Sequence, residues 1–80
     1  MGTADQTVRD AFINALDLPS GSDVEALEIG KNAEWDSVGH MALVAELEDR
    51  FGISLEIDDI VGMSSYEKTV ETLRTHGIEV

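Results

Sequence analysis

The sequence predicts an all-α protein, a small four-helix bundle with a short third helix and a long first loop. Three observations predict it: apolar residues recur at helical spacing in three segments, helix-capping residues precede these segments, and glycine or proline follows them. The 80 residues are enough for one domain, spanning positions 1–80. A domain of this size buries only about 60–65% of its unfolded surface, so a large internal catalytic pocket is not expected.

The first helix is predicted from about Ala4 to Leu16. Thr3 and Gln6 form a potential capping box at its start, and Pro19 prevents the helix from continuing. Its apolar residues, spaced to line one face, are Val8, Ala11, Phe12, Ala15 and Leu16.

A connection of unusual length follows, from Ser20 to Asp36. Compact domains rarely contain so long a segment without secondary structure, so we expect it to be pinned across the bundle. The apolar residues available for this are Val24, Leu27, Ile29 and Trp35. One helical turn is predicted within it, starting at Ser22 and supported by Glu25.

The second helix is the strongest in the sequence and is predicted from about Ser37 to Phe51. Asp36 and Ser37 are both good N-cap residues, and Gly52 ends the helical pattern. A serine hydroxyl therefore lies at a helix N-terminus, where unpaired N–H groups and a positive partial charge suit an attached phosphate.

This second helix has two apolar faces. At about 100° per residue, Leu43, Val44, Leu47 and Phe51 fall on one face, together with His40. Val38, Met41 and Ala45 fall well away from it and form a second stripe, which continues into Glu48 and Asp49 and has Ser37 at its upper edge. A helix that is buried on one side needs only one apolar stripe, so the second predicts a docking surface for a partner. The alternative is that residues 20–36 fold over Val38 and Met41 and bury them as ordinary core.

Two further helices are predicted. Residues 58–61, Asp58 to Val61, form one short turn closed by Gly62 and Met63. The last helix begins near Ser64, which could form a capping box with Glu67, and ends at Gly77 after His76. Its core stripe is formed by Tyr66, Val70 and Leu73.

Composition excludes several functions. The chain has no cysteine, so disulfides, zinc–thiolate sites and a cysteine nucleophile are excluded. It lacks an apolar run of membrane-spanning length and a visible signal peptide, so we expect a cytoplasmic protein that does not bind membranes. Its net charge is −12, and residues 23–60 contain 11 acids and two bases, which accounts for nine of the 12 net charges. Such a field disfavours nucleic acid and attracts basic protein surfaces.

The sequence resembles the acyl carrier proteins, or phosphopantetheine carriers, over about Thr3 to His76. The resemblance rests on Asp36-Ser37-Val38, on the helix after it, on the segment Leu47 to Ile53 with its Phe-Gly-Ile end, and on Asp58-Asp59-Ile60. Val38 departs from the family's usual leucine. Trp35 departs from the usual small residue and is more typical of discrete carriers of secondary pathways.

The resemblance implies a function and a set of site residues. Ser37 would carry 4′-phosphopantetheine, derived from coenzyme A, through a phosphodiester, and the arm's thiol would hold an acyl or aminoacyl cargo as a thioester. Asp36 would cap the helix and fix the serine's geometry. Partner contacts would come from Val38, Met41, Ala45, Glu48 and Asp49, with Met63 either flanking the same groove or belonging to the core.

The implied partners are enzymes rather than nucleic acids or membranes. A phosphopantetheinyl transferase would attach the arm, and a ligase or transferase would load the cargo. Downstream synthases with basic docking surfaces would then use it, and the chain would act as a monomer. On this interpretation the chain is not itself an enzyme, has no catalytic residue and holds no metal.

Two alternatives belong to other classes of protein. The chain could be an acidic interaction module that binds a basic partner through the same stripe with Ser37 unmodified. It could instead be a small serine hydrolase, but helical geometry puts His40 on the core side and Asp36 on the wrong side of Ser37 to orient it. The Asp58-Asp59 pair lacks the alternating ligands of an EF-hand loop, which disfavours specific calcium binding.

Overall fold

The structure is a computed structural model that describes residues 3–80. Met1 and Gly2, at the start of the predicted domain, lie outside the described residues. The described chain forms a small all-α bundle of four helices, as predicted: α1 (Ala4–Ala15), α2 (Ser37–Phe51), α3 (Ile57–Gly62) and α4 (Tyr66–Thr75). A single turn of 3-10 helix, Val24–Ala26, interrupts the long first loop. None of the helices in residues 3–80 is long and apolar enough to span a bilayer.

Side chains make capping hydrogen bonds at the starts of all four helices, and at α3 the Asp59 side chain accepts from the Glu56 N–H at 3.1 Å. Thr3 accepts a hydrogen bond from the N–H of Gln6 at the start of α1, while the Gln6 side chain donates to Asp10, so only half of the predicted capping box forms. Asp36 caps α2. Ser65 caps α4 by accepting from the N–H of Lys68, one residue later than the predicted Ser64.

The long first loop is pinned to the bundle, as its apolar residues predict. Val24, Leu27 and Trp35 are buried, and Ile29 packs partly against the core. The Ile29 N–H donates to the Ser64 carbonyl at 3.0 Å, which joins the loop to the segment before α4. The predicted turn differs in detail, because it starts at Val24 rather than Ser22. The Ser22 hydroxyl instead donates to the Pro19 carbonyl.

The core lies between α1, α2, α4 and this loop. Phe12 is its centre: the Trp35 ring meets it edge-on at 5.1 Å between centroids, and the Tyr66 ring lies tilted at 5.5 Å. On α2 three apolar residues of the predicted core face, Leu43, Val44 and Leu47, are buried, and the fourth, Phe51, packs partly against the core. On α4 Tyr66, Val70 and Leu73 are buried as predicted.

A polar contact fastens α1 to α4 beside this core. The Tyr66 hydroxyl donates to the Asp5 carboxylate, which also accepts from Arg9 at 2.9 Å. Burial, with the hydrogen bond to Asp5, raises the pKa of Tyr66 to about 12. The Tyr66 hydroxyl and then Arg9 lower the pKa of Asp5, because both stabilise its charged form.

Candidate functional site

The first turn of α2 presents Ser37 to solvent. Asp36 stands in an extended conformation and its Oδ1 accepts from the Gly39 N–H at 2.8 Å, which identifies it as the N-cap. Ser37 is therefore the first helical residue, and its side chain is exposed. Since Asp36 satisfies Gly39, helix geometry leaves the N–H groups of Ser37 and Val38 without an intrahelical acceptor.

The loop before α2 approaches the helix closely at Gly39. A Cβ atom at this position would lie 2.9 Å from the Glu34 carbonyl oxygen and 2.8 Å from Cδ2 of Leu16. Only glycine admits the loop at this distance without a shift of backbone. The close approach sets where the residues immediately before Ser37 run, a role that the sequence did not reveal.

His40 lies on the core side of α2, as its helical angle predicts, and is buried. Its Nδ1 accepts from the Trp35 indole N–H at 2.9 Å, and its Nε2 is 2.8 Å from the Ile60 carbonyl oxygen. An indole nitrogen can only donate and a carbonyl can only accept, so the proton is assigned to Nε2. Both ring nitrogens thus have partners other than Ser37. The structure does not bring Ser37, His40 and an aspartate together as a triad.

The second apolar stripe of α2 lies at the surface. Val38 is 79% exposed, Met41 is 55% exposed, and Ala45 is also exposed. The long loop does not fold over Val38 and Met41, so the alternative in which they belong to the core is wrong. Ser37 and the stripe lie on the same helix, with Ser37 as its first residue.

The short helix α3 exposes a second apolar pair that sequence reasoning missed. Ile57 is 78% exposed and Val61 is 75% exposed. They stand four residues apart, on one face of the helix. The spacing was visible in the sequence, but a six-residue segment shows no periodicity from which an exposed face can be told from a buried one.

Two of the predicted contact residues lie at least partly inside the fold. Met63 is completely buried, so it belongs to the core and does not flank a surface groove. Glu48 is half-buried, and its Oε2 accepts from the Leu55 N–H at 2.8 Å. Glu48 thus braces the connection from α2 to α3, whereas Asp49 is exposed.

The electrostatics around the stripe are acidic. Three of the five bases are held by acids elsewhere: Arg9 by Asp5 and Glu25, Lys31 by Glu28, and Arg50 by Glu46. The exposed acids Glu34, Asp36, Asp49 and Asp58 take part in no ion pair within residues 3–80. A partner approaching α2 from this side would therefore meet exposed carboxylates.

Two surface pockets lie on α4 and include neither Ser37 nor the stripe. One, of about 350 Å³, is lined by residues of α3 and α4, including Asp58, Lys68 and Thr72. The other, of about 330 Å³, is lined by Glu25 and residues of α4. Ser37 itself is exposed and lines neither of these two pockets.

Comparison of the chain with protein-family models, with curated proteins and with solved structures found no match.

Proposed function

We propose that the chain is a carrier protein that bears 4′-phosphopantetheine on Ser37. The terminal thiol of that arm would hold an acyl or aminoacyl group as a thioester. The chain would present this cargo to partner biosynthetic enzymes in the cytoplasm. The observation that carries the proposal is an exposed serine at the first residue of α2, heading an exposed apolar stripe.

The residues around Ser37 fit a phosphodiester that is covalently attached. The N–H groups of Ser37 and Val38 are available to it, and the helix end contributes about +0.5 of a charge. The Asp36 carboxylate beside them has a full negative charge and outweighs this, so a free phosphate ion would not be held there. A covalent bond would hold the phosphate there despite this repulsion.

Asp36 contributes by fixing the start of the helix. Its hydrogen bond to the Gly39 N–H sets the first turn, and with it the direction of the Ser37 hydroxyl. The chain offers the serine no base, since both nitrogens of His40 are engaged elsewhere. A separate phosphopantetheinyl transferase, with Mg²⁺ and coenzyme A, would supply the base and the metal.

The partner surface consists of an apolar centre with acids at its edge. Val38, Met41 and Ala45 provide the apolar contacts, and Asp49 faces basic residues of the partner at the rim. Exposed charges at a rim mainly raise the association rate. Binding of this kind is weak and exchangeable, which suits a monomeric carrier that visits a transferase, a loading enzyme and later synthases in turn.

The second candidate is an acidic interaction module with an unmodified serine. It is favoured by the same exposed residues, because Val38 and Met41 could dock a basic partner without any arm. The two candidate functions differ in whether Ser37 becomes covalently modified.

Intact-mass spectrometry after incubation with coenzyme A and a broad-specificity phosphopantetheinyl transferase separates them. A carrier gains the mass of one arm, and the Ser37→Ala variant gains none. Ser54→Ala is the matched control, because Ser54 is exposed but lies outside any helix, and this variant should gain the arm normally. An unchanged mass of the wild-type chain would favour the interaction module. Hydrolysis of simple esters that is lost in His40→Ala would favour a hydrolase.

A further inference from the structure

The short helix α3 is held on the bundle by the only two histidines of the chain. None of its six residues is fully buried. His40 of α2 donates from Nε2 to the Ile60 carbonyl at 2.8 Å, and Nε2 of His76, after α4, lies 2.9 Å from Oδ2 of Asp59. Polar contacts thus add to a small apolar attachment, in which Ile60 packs partly against the core and Met63, after the helix, is buried.

The contact through His40 extends further than one hydrogen bond. The Trp35 indole donates to His40, which donates in turn to Ile60, so the chain of bonds joins the long loop, α2 and α3. Both bonds lie at a side chain that is only 7% exposed. Water would therefore not readily replace either partner if the imidazole were removed.

The His40–Ile60 bond joins two residues that each precede, in the sequence, a member of one exposed apolar pair. Met41 follows His40 in α2, and Val61 follows Ile60 in α3. Few apolar contacts hold Ile57 and Val61 against the bundle, since each side chain is at least three-quarters exposed. Their position relative to Val38 and Met41 is fixed instead by the backbone of α3, to which His40 is bonded.

We propose that His40 is a positioning residue, which holds α3 beside α2 so that Ile57 and Val61 extend the apolar stripe contacted by the phosphopantetheinyl transferase. The contacted surface then comprises two helices, with Asp49 and Asp58 as exposed acids that complement a basic partner. The docking part of this inference rests on the proposed function. The holding of α3 by His40 does not.

The first experiment measures amide hydrogen exchange in the unmodified chain. His40→Phe keeps a ring but removes both hydrogen bonds, so residues 57–62 should exchange at least tenfold faster relative to α1. His40→Gln, whose amide can both accept and donate, should restore part of the protection. Tyr66→Phe is the control, because it removes a bond between α1 and α4 and leaves α3 untouched. Unchanged relative protection of residues 57–62 in His40→Phe would overturn the inference.

The second experiment measures transfer of the arm from coenzyme A to Ser37 by the transferase. His40→Phe and Val61→Ser should each raise KM several-fold with kcat preserved, whereas Tyr66→Phe should leave KM unchanged. If His40 acts through Val61, the double variant should be little worse than the worse single variant. Independent, multiplying effects on KM, or an equal rise of KM in Tyr66→Phe, would contradict the docking part.

The outcomes of the two experiments remain distinguishable. If the wild-type chain accepts no arm, the proposed function and the docking part fall together. The exchange result still decides alone whether His40 holds α3. If the wild type accepts the arm and His40→Phe does so with unchanged KM, the proposed function stands and the docking part is wrong.

Discussion

Gly39 stands in the first turn of α2, where alanine would form a better helix. Replacing glycine by alanine inside a helix gains about 1 kcal/mol of helix propensity. At Gly39 this gain is opposed by the Glu34 carbonyl oxygen, which would lie only 2.9 Å from the new methyl carbon. A backbone oxygen moves less easily than the end of a side chain, so the close approach should decide the outcome.

We therefore expect Gly39→Ala to lower the free energy of unfolding by about 1–3 kcal/mol, as overpacked sites usually do. Gly62→Ala is the matched control, because Gly62 is also helical and a Cβ there meets no atom within 4 Å. The control should be neutral or slightly stabilising. Urea denaturation of the two variants measures both values, and equal stability of Gly39→Ala and wild type would show that the loop moves aside freely.

Single residues also show where sequence reasoning stops. The inward direction of His40 followed from its helical angle, but its bond to Ile60 joins positions 20 residues apart and has no local signal. The need for glycine at position 39 likewise depends on a carbonyl of a different segment. The bond of His40 and the need for glycine at position 39 both depend on contacts between separate segments. A helical pattern in the sequence describes one segment only.

Among the elements, α2 was predicted best because its two ends are set locally. Asp36 caps it, and Gly52, which adopts a left-handed φ of 64°, ends it, so the predicted and observed bounds coincide. The start of α4 was harder to predict, since Ser64 and Ser65 can both cap a helix. The Ser64 carbonyl is used by the long loop and Ser65 caps instead, which only the tertiary structure determines.

The hydrogen bond from Tyr66 of α4 to Asp5 of α1 should make the free energy of unfolding depend on pH in the alkaline range. Because the folded state raises the pKa of Tyr66 from 10 to about 12, this contribution is complete below pH 10 and is lost as the pH rises towards 12. Tyr66→Phe should lose about 1–2 kcal/mol at neutral pH and show a shallower decline above pH 10. Lysines titrate in both proteins, so the difference between them isolates Tyr66.

Chemical denaturation at a series of pH values measures this difference, and the absorbance of tyrosinate follows Tyr66 directly because it is the only tyrosine. Parallel stability curves for the two proteins above pH 10 would contradict the prediction. Asp5 makes the free energy of unfolding depend on pH in the acidic range instead. Its lowered pKa means that its contribution is present at neutral pH and is lost on acidification.

At the scale of the whole molecule, the net charge of −12 is held in a body of about 31 × 30 × 19 Å. At about 10 mM salt the Debye length of about 30 Å spans this body, so the acids repel one another throughout it. At about 0.15 M the length falls to about 8 Å, and only near neighbours interact. Self-repulsion of this kind favours the unfolded chain, in which the charges lie farther apart.

Salt should therefore stabilise the fold and weaken the proposed docking. We expect the thermal midpoint to rise by several degrees between about 10 mM and 0.15 M sodium chloride, since 1 kcal/mol corresponds to about 4–8 °C in a domain of this size. Over the same range KM for arm transfer should rise. Calorimetry and transfer kinetics measure the two effects, and an uncharged solute of equal osmolality is the control. A midpoint that falls with salt would contradict the prediction.

The inward turn of His40 also bears on how long a loaded cargo would survive. A thioester is an activated ester, and a nearby base or nucleophile speeds its hydrolysis. Here the imidazole is buried and bonded at both nitrogens, so it is not free to attack. A carrier built in this way stores its reactive bond passively, and the timing of its use belongs to the next enzyme.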